Sequence, residues 1–270
     1  MTVYESALFQ TTSTVIATPD LVFLVDPCWL PAEIELIRHD IALIRNGRPL
    51  YLLFTHSDYD HLFGYGAFPE AHVLASTSFA QLTDARQVVE DMKTWDEKHY
   101  IRRPYELTYP QVDEIIHSDR QTLQIGETRL TFWLVSGHTN DGVFALVEVE
   151  GKKTLVTGDY LCAVEFPYIY SGHLDYLATL TLADEIVQEF HPSTLICGHG
   201  PIATEIADIE GRISEARDYI GRLRSSILNS EPFDASSLWQ RYDFQRGMEA
   251  SHLANLEVVR SEVRLRNRVE

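Results

Sequence analysis

Leu52-Leu53-Phe54-Thr55-His56-Ser57-Asp58-Tyr59-Asp60-His61 sets four potential metal ligands directly behind an apolar run that reads as a buried strand. Side chains two residues apart on an extended chain point the same way. On that geometry His56 and Asp58 face one ion while Asp60 and His61 turn toward another. Imidazole suits zinc, iron and copper, and carboxylate adds hard oxygen donors and negative charge. The plain alternative is a polar loop whose histidines and aspartates cap the next helix.

Three later stretches weigh against that alternative. Ser136-Gly137-His138-Thr139 follows Leu130-Thr131-Phe132-Trp133-Leu134-Val135, Gly158-Asp159 follows Leu155-Val156-Thr157, and Gly198-His199-Gly200 follows Leu195-Ile196-Cys197. Each puts a candidate ligand at an expected strand end, beside a glycine that lets the backbone turn. Four strand ends can converge on one edge of a sheet.

Taken in order, these pieces resemble the metallo-β-lactamase superfamily, whose pattern runs His-x-His-x-Asp-His, Gly-His-Thr, Gly-Asp and Gly-His-Gly. The ordered combination is specific, while each piece alone is a weak signal. The likeness extends from about Thr14 to about Pro201. It implies an α/β (α+β) fold, the four-layer αββα metallo-β-lactamase sandwich. It also implies a ligand set: His56 and His138 on a first metal, Asp60, His61 and His199 on a second, and Asp159 bridging the two. Leu24-Val25-Asp26-Pro27 is similar to the family's early strand ending in Asp, which supports the site from behind. The implied cofactor is one or two divalent metal ions, with zinc expected and iron or manganese as alternatives.

One departure bears on the chemistry. Asp58 stands where the family has its second His, so the first ion would have two imidazoles and a carboxylate. The flavo-diiron branch also carries a carboxylate there, although it is Glu, and a harder ligand set tilts selectivity toward iron or manganese. Being shorter than His, Asp58 also falls short of the metal in an alternative reading, which leaves a weak first site. A smaller departure, Asn140-Asp141 where Pro-Gly is common, is expected to affect the turn more than the chemistry.

The resemblance implies a metallo-hydrolase acting on a small-molecule ester, thioester or lactone. A divalent ion brings the pKa of bound water toward neutrality, so that hydroxide is available at physiological pH. Asp60 is the expected catalytic residue, orienting the nucleophile and accepting its proton. Similarity to the glyoxalase II-like and lactonase-like branches favours an acyl substrate over a phosphodiester. Two alternatives stay open: an iron-dependent redox protein resembling the flavo-diiron branch, and a non-catalytic binding member with a degenerate first site.

Composition agrees with a compact enzyme. At 270 residues, 45% of them hydrophobic, the chain supplies core for one large domain or two small ones. We expect a single domain over 1–270, with a helix-loop insertion at about 78–117 and a helical extension at about 204–270. A formal charge of -18 repels a phosphate backbone, so no nucleic-acid partner is expected. No stretch is long and apolar enough to span a bilayer, and the N-terminus lacks a basic-then-apolar leader pattern. A cytoplasmic protein without a membrane partner is expected. Cys28, Cys162 and Cys197 are scattered and odd in number, so a disulfide framework is not expected.

Further along, the spacing predicts paired strands at Thr14–Ala17 and Leu21–Val25, a helix through Ile34, Ile37, Ile41 and Ile44, and a strand at Ala71–Ala75. One helix is predicted through Phe79, Leu82, Val89, Met92 and Trp95, either a pocket wall or a cover for the sheet. Irregular chain follows to about Glu114, where Arg102-Arg103 reads as a solvated loop. Helices are also predicted at Tyr176–Phe190, at Ile206–Ile227 and through Leu253–Val263, with Trp239–Met248 as a connection. The last two helices either cap the sheet or form a homodimer contact. Phe166–Tyr170 is an aromatic loop, and His173 behind it is a candidate to reach substrate.

Overall fold

The computed structural model describes residues 1–266 of the chain. Residues 267–270 of the expected C-terminal extension lie outside the described residues. The first half builds one sheet from β1 (Thr2–Glu5), β2 (Thr12–Ala17), β3 (Val22–Val25), β4 (Leu50–Leu53), β5 (His72–Ser76) and β6 (Glu114–Ile116), ordered as numbered. The second half builds another from β7 (Gln121–Ile125), β8 (Thr128–Val135), β9 (Gly142–Val149), β10 (Lys152–Val156) and β11 (Thr194–Ile196), in the order β11-β10-β9-β8-β7.

Alternation along the strands makes the layers. In β3 and its preceding residue, Leu21, Phe23 and Val25 face the second sheet, while Val22 and Leu24 face the helices outside. In β8, Leu130 and Phe132 meet the first sheet, and Trp133 and Val135 turn outward. Both faces of the central strands are thus covered, which explains why β3 and β9 read as largely apolar runs. Each fully buried Leu or Phe in them contributes about 1.5–3 kcal/mol.

The helices form the outer layers. α1 (Pro31–Ile44), α2 (Tyr59–Leu62), α3 (Thr77–Ala80) and α4 (Ala85–Lys98) lie on the first sheet. α5 (His173–Phe190), α6 (Ile206–Leu228), α7 (Ser236–Arg241) and α8 (Gln245–Arg266) lie on the second. The result is the four-layer αββα sandwich.

Several expectations need correction. The single helix expected from Phe79 to Trp95 is two, α3 and α4, with a turn at Gln81–Asp84. Val88, not Val89, joins Trp95 and the buried Met92 against the core. The expected connection Trp239–Met248 instead holds the end of α7 and the start of α8. Arg103 is no solvated loop residue: its side chain is buried and forks onto Asp96, with Nε–Oδ2 at 2.7 Å and Nη2–Oδ1 at 2.9 Å. Its Nη1 donates to the Trp29 carbonyl at 2.8 Å, so it fastens the irregular stretch to the first half of the fold. No helix among the described residues is long and apolar enough to cross a membrane.

Candidate metal centre

All seven candidate ligands meet at one end of the sandwich, at the C-terminal ends of β4, β8, β10 and β11. The i, i+2 strand geometry expected for the first motif is not what delivers them. β4 stops at Leu53, His56 and Asp58 lie in the loop beyond it, and Asp60 and His61 stand on the single turn of α2. The structure nevertheless brings them into two groups. His56, Asp58, His138 and Asp159 can offer ligand atoms to one point, and Asp60, His61 and His199 to another.

Each imidazole is oriented by a hydrogen bond at Nδ1, which leaves Nε2 aimed inward. His138 Nδ1 donates to the Tyr168 carbonyl at 2.9 Å, and His199 Nδ1 to the Phe9 carbonyl at 2.9 Å. His61 Nδ1 lies 3.1 Å from Asp26 Oδ2. The Thr55 hydroxyl donates to that same carboxylate oxygen at 2.6 Å and so accepts from His56 Nδ1 at 2.9 Å. Asp26 thereby holds two imidazoles from behind, one of them through Thr55.

On the inner side, Asp159 Oδ2 lies 3.6 Å from His56 Nε2, 3.4 Å from His138 Nε2 and 3.1 Å from His199 Nε2. Its Oδ1 lies 3.2 Å from His61 Nε2. Asp58 Oδ2 stands 3.3 Å from His138 Nε2 and 3.7 Å from His56 Nε2, so it reaches the first group. Asp60 Oδ2 is 3.5 Å from His61 Nε2 and 3.6 Å from His199 Nε2.

These separations decide whether the residues fit a metal. Charge-assisted hydrogen bonds close to about 2.7–2.9 Å, whereas ligands at zinc distances around a tetrahedral ion stand about 3.3–3.6 Å apart. Most of the contacts match the second case. The buried Nε2 atoms of His56, His61 and His138 and Oδ1 of Asp159 also make no hydrogen bond, a costly arrangement unless an ion satisfies them. The donor set therefore fits divalent metal ions.

The electrostatics point the same way. Burial and His61 push the His56 imidazole down, but Asp159 and Asp58 carry it up to about 10. Burial likewise opposes His138, which Asp159 and Asp58 also carry up to about 10. Burial works against ionising Asp58 and Asp159 as well, and the surrounding imidazoles outweigh it, holding both well below the usual carboxylate range. Such a cluster gathers positive charge, as protons or as metal.

Other expected residues fall elsewhere. His173 is buried at the start of α5, where its Nδ1 contacts Glu262 of α8, so it anchors helices and does not reach the centre. Asp141, in the departing Asn140-Asp141 turn, is buried with both carboxylate oxygens free of hydrogen bonds. Of the aromatic loop, Phe166 packs against Tyr219, Trp239 and Tyr242, while the exposed Tyr170 has its ring 5.0 Å from that of His138. Cys28, Cys162 and Cys197 are free thiols.

Sequence reasoning missed Glu165. It stands on the loop that carries Asp159, and it can offer an oxygen to a point shared with Asp159 and His199. Burial pushes its carboxyl up to about 7, with His199 opposing and Asp159 adding to the rise. No motif marked it. Its only signal was its place between Asp159 and the aromatic loop. A wider groove of ≈ 710 Å³, between α1 and the Gly66–Glu70 turn, holds none of the candidate ligands.

The family model of the metallo-beta-lactamase superfamily matches residues 7–199. No curated protein matches the chain significantly. Among solved structures, a metallo-beta-lactamase of Cronobacter sakazakii is 20% identical with a TM-score of 0.54, over 80% of this chain and 88% of its own. An archaeal superfamily protein of Sulfolobus tokodaii is 17% identical with a TM-score of 0.53, over 93% of each chain. A class B3 di-zinc metallo-beta-lactamase from an Alaskan soil metagenome is 17% identical with a TM-score of 0.55, over 78% of this chain and 87% of its own. At these identities the structural likeness speaks for the fold alone.

Proposed function

This chain belongs to the metallo-β-lactamase superfamily, and on that premise we propose that it is a metal-dependent hydrolase of an ester, thioester or lactone. The observation that carries the reading is the convergence of four imidazoles, each held at Nδ1 and aimed by Nε2, on the one carboxylate of Asp159. His56, Asp58, His138 and Asp159 would hold one ion, and Asp60, His61, His199 and Asp159 the other. Bound there, the ions would supply a water of lowered pKa and polarise the substrate carbonyl.

The chain's own residues do the rest. Asp60, only 12% exposed at its side chain, orients the nucleophile and accepts its proton at Oδ. Tyr160 holds the His138 turn, its hydroxyl accepting from the His138 N–H at 3.0 Å. Asp58, 31% exposed at its side chain, marks the open side, where Tyr170 offers an apolar face to an acyl group. Carboxylates around the centre and a formal charge of -18 disfavour a phosphodiester. Zinc is the proposed metal.

The test is hydrolysis of generic aryl ester and thioester substrates by chelated and then zinc-reconstituted protein without reductant. The reading expects activity to vanish and return. Zinc has no redox chemistry, so activity that needs iron and an electron donor would overturn it.

A further inference from the structure

We propose that Glu165 is an additional carboxylate ligand of the ion that Asp159 and His199 hold together, and that it narrows the preference of this position for zinc over manganese or iron(II). The proposal rests on the metal-centre reading above and extends its ligand set. Ligand oxygens sit about 2.0–2.2 Å from such ions, so two donors to one ion stand no more than about 4.4 Å apart. The Asp159, Glu165 and His199 donors all lie within 4.8 Å of one another, within a small side-chain adjustment of that limit.

The loop is built to hold Glu165 there. Gly200 has φ +80°, and a β-carbon on it would meet Val164 Cγ1 at 2.6 Å. Val164 therefore packs directly onto the turn that carries His199 and sets its neighbour Glu165 beside the imidazole. From behind, Arg212 Nη1 donates to the Leu161 carbonyl at 3.3 Å and the Pro201 carbonyl at 3.0 Å, tying the two loops together.

Two further observations are consistent with a metal as the partner. Asp159 Oδ1, on a side chain only 5% exposed, makes no hydrogen bond. Arg212, the cation lining the ≈ 10 Å³ cavity beside Glu165, is already committed to Asp208 at 3.1 Å. With Glu165 included, four carboxylates (Asp58, Asp60, Asp159 and Glu165) face two doubly charged ions, which is charge balance before any water is counted. Added carboxylate at a site otherwise rich in imidazole raises coordination number and hardness, the direction that favours manganese and iron(II) over zinc.

The experiment compares the parent with Glu165→Gln and Glu165→Ala after equal exposure to zinc and manganese, reading metal per chain by elemental analysis and affinity by chelator competition. Cobalt(II) absorption gives coordination number independently of activity. Expected are a second ion bound about 10–100-fold more weakly in both variants, a manganese-to-zinc ratio below the parent's, and stronger cobalt bands as coordination falls. Unchanged affinity, ratio and cobalt spectrum in variants that still bind two ions would overturn the role of Glu165 and leave the metal centre standing. A parent that binds no metal would overturn both. Unfolding midpoints identify any variant that misfolds, and Glu165→Asp, which keeps the carboxylate, should restore part of the affinity.

Discussion

A β-carbon on Gly198 would lie 1.9 Å from Asp159 Oδ1, so the carboxylate that joins the two ligand groups occupies space that only glycine leaves open. Gly198→Ala is expected to drive Asp159 out of the cluster. Metal affinity should fall about 10–100-fold and stability by about 1–3 kcal/mol. Chelator competition beside denaturant unfolding checks both. Parental affinity in a folded Gly198→Ala protein would show that Asp159 does not bridge.

Asp58 separates this chain from the common pattern of its family. As a carboxylate ligand it removes one unit of charge relative to His and makes a coordinated water less acidic. Asp58→His should therefore tighten zinc at the first group and move the rising limb of the pH–rate profile to lower pH. Asp58→Ala should empty that group and sharply cut turnover. Metal content and pH profiles that match the parent in both variants would remove Asp58 from the ligand set.

How legible all this was follows from where the information lies. The seven candidate ligands could be read because each is one residue type at a fixed offset from an apolar strand, a local pattern. Glu165 could not, because Val164 against Gly200 places it, a contact between distant segments. Arg103 read as solvated for the same reason, its partner Asp96 lying on α4 and Trp29 far earlier in the chain. The break between α3 and α4 was hidden because Phe79 and Met92 both enter the same core, so apolar spacing ran on through the turn. α7 is too short for a helical period to stand out.

The Arg103–Asp96 pair is a structural prediction independent of metal. Side-chain exposures of 2% and 10% mean that Arg103→Ala leaves a nearly buried carboxylate without its partner. A loss of about 3–5 kcal/mol is expected, read from urea unfolding. Replacing both residues together, as Arg103→Met with Asp96→Leu, should recover most of it. A small effect from the single variant would mean that water solvates Asp96 well.

Protons and metal compete for the same imidazoles. In chelated protein His56 and His138 are raised to about 10, so their proton-linked stabilisation is complete below the unfolded value near about 6.5 and is lost as pH rises through about 10. Asp58 and Asp159 are lowered, so theirs is present above about 4 and is lost as pH falls. Chelated protein should thus be most stable between about pH 4 and 6.5, and metal affinity should rise with pH across neutrality, with protons released on binding. Calorimetric titration in buffers of different ionisation enthalpy measures the release. A pH-independent affinity would contradict the protonated cluster.

The central claim is a metal centre built from strand ends, and elemental analysis of protein made without chelator in zinc- and iron-supplemented medium tests it most directly. The account predicts one or two transition-metal ions per chain, with His61→Ala and His199→Ala each losing an ion while staying folded. Protein that carries no transition metal after such growth would contradict it.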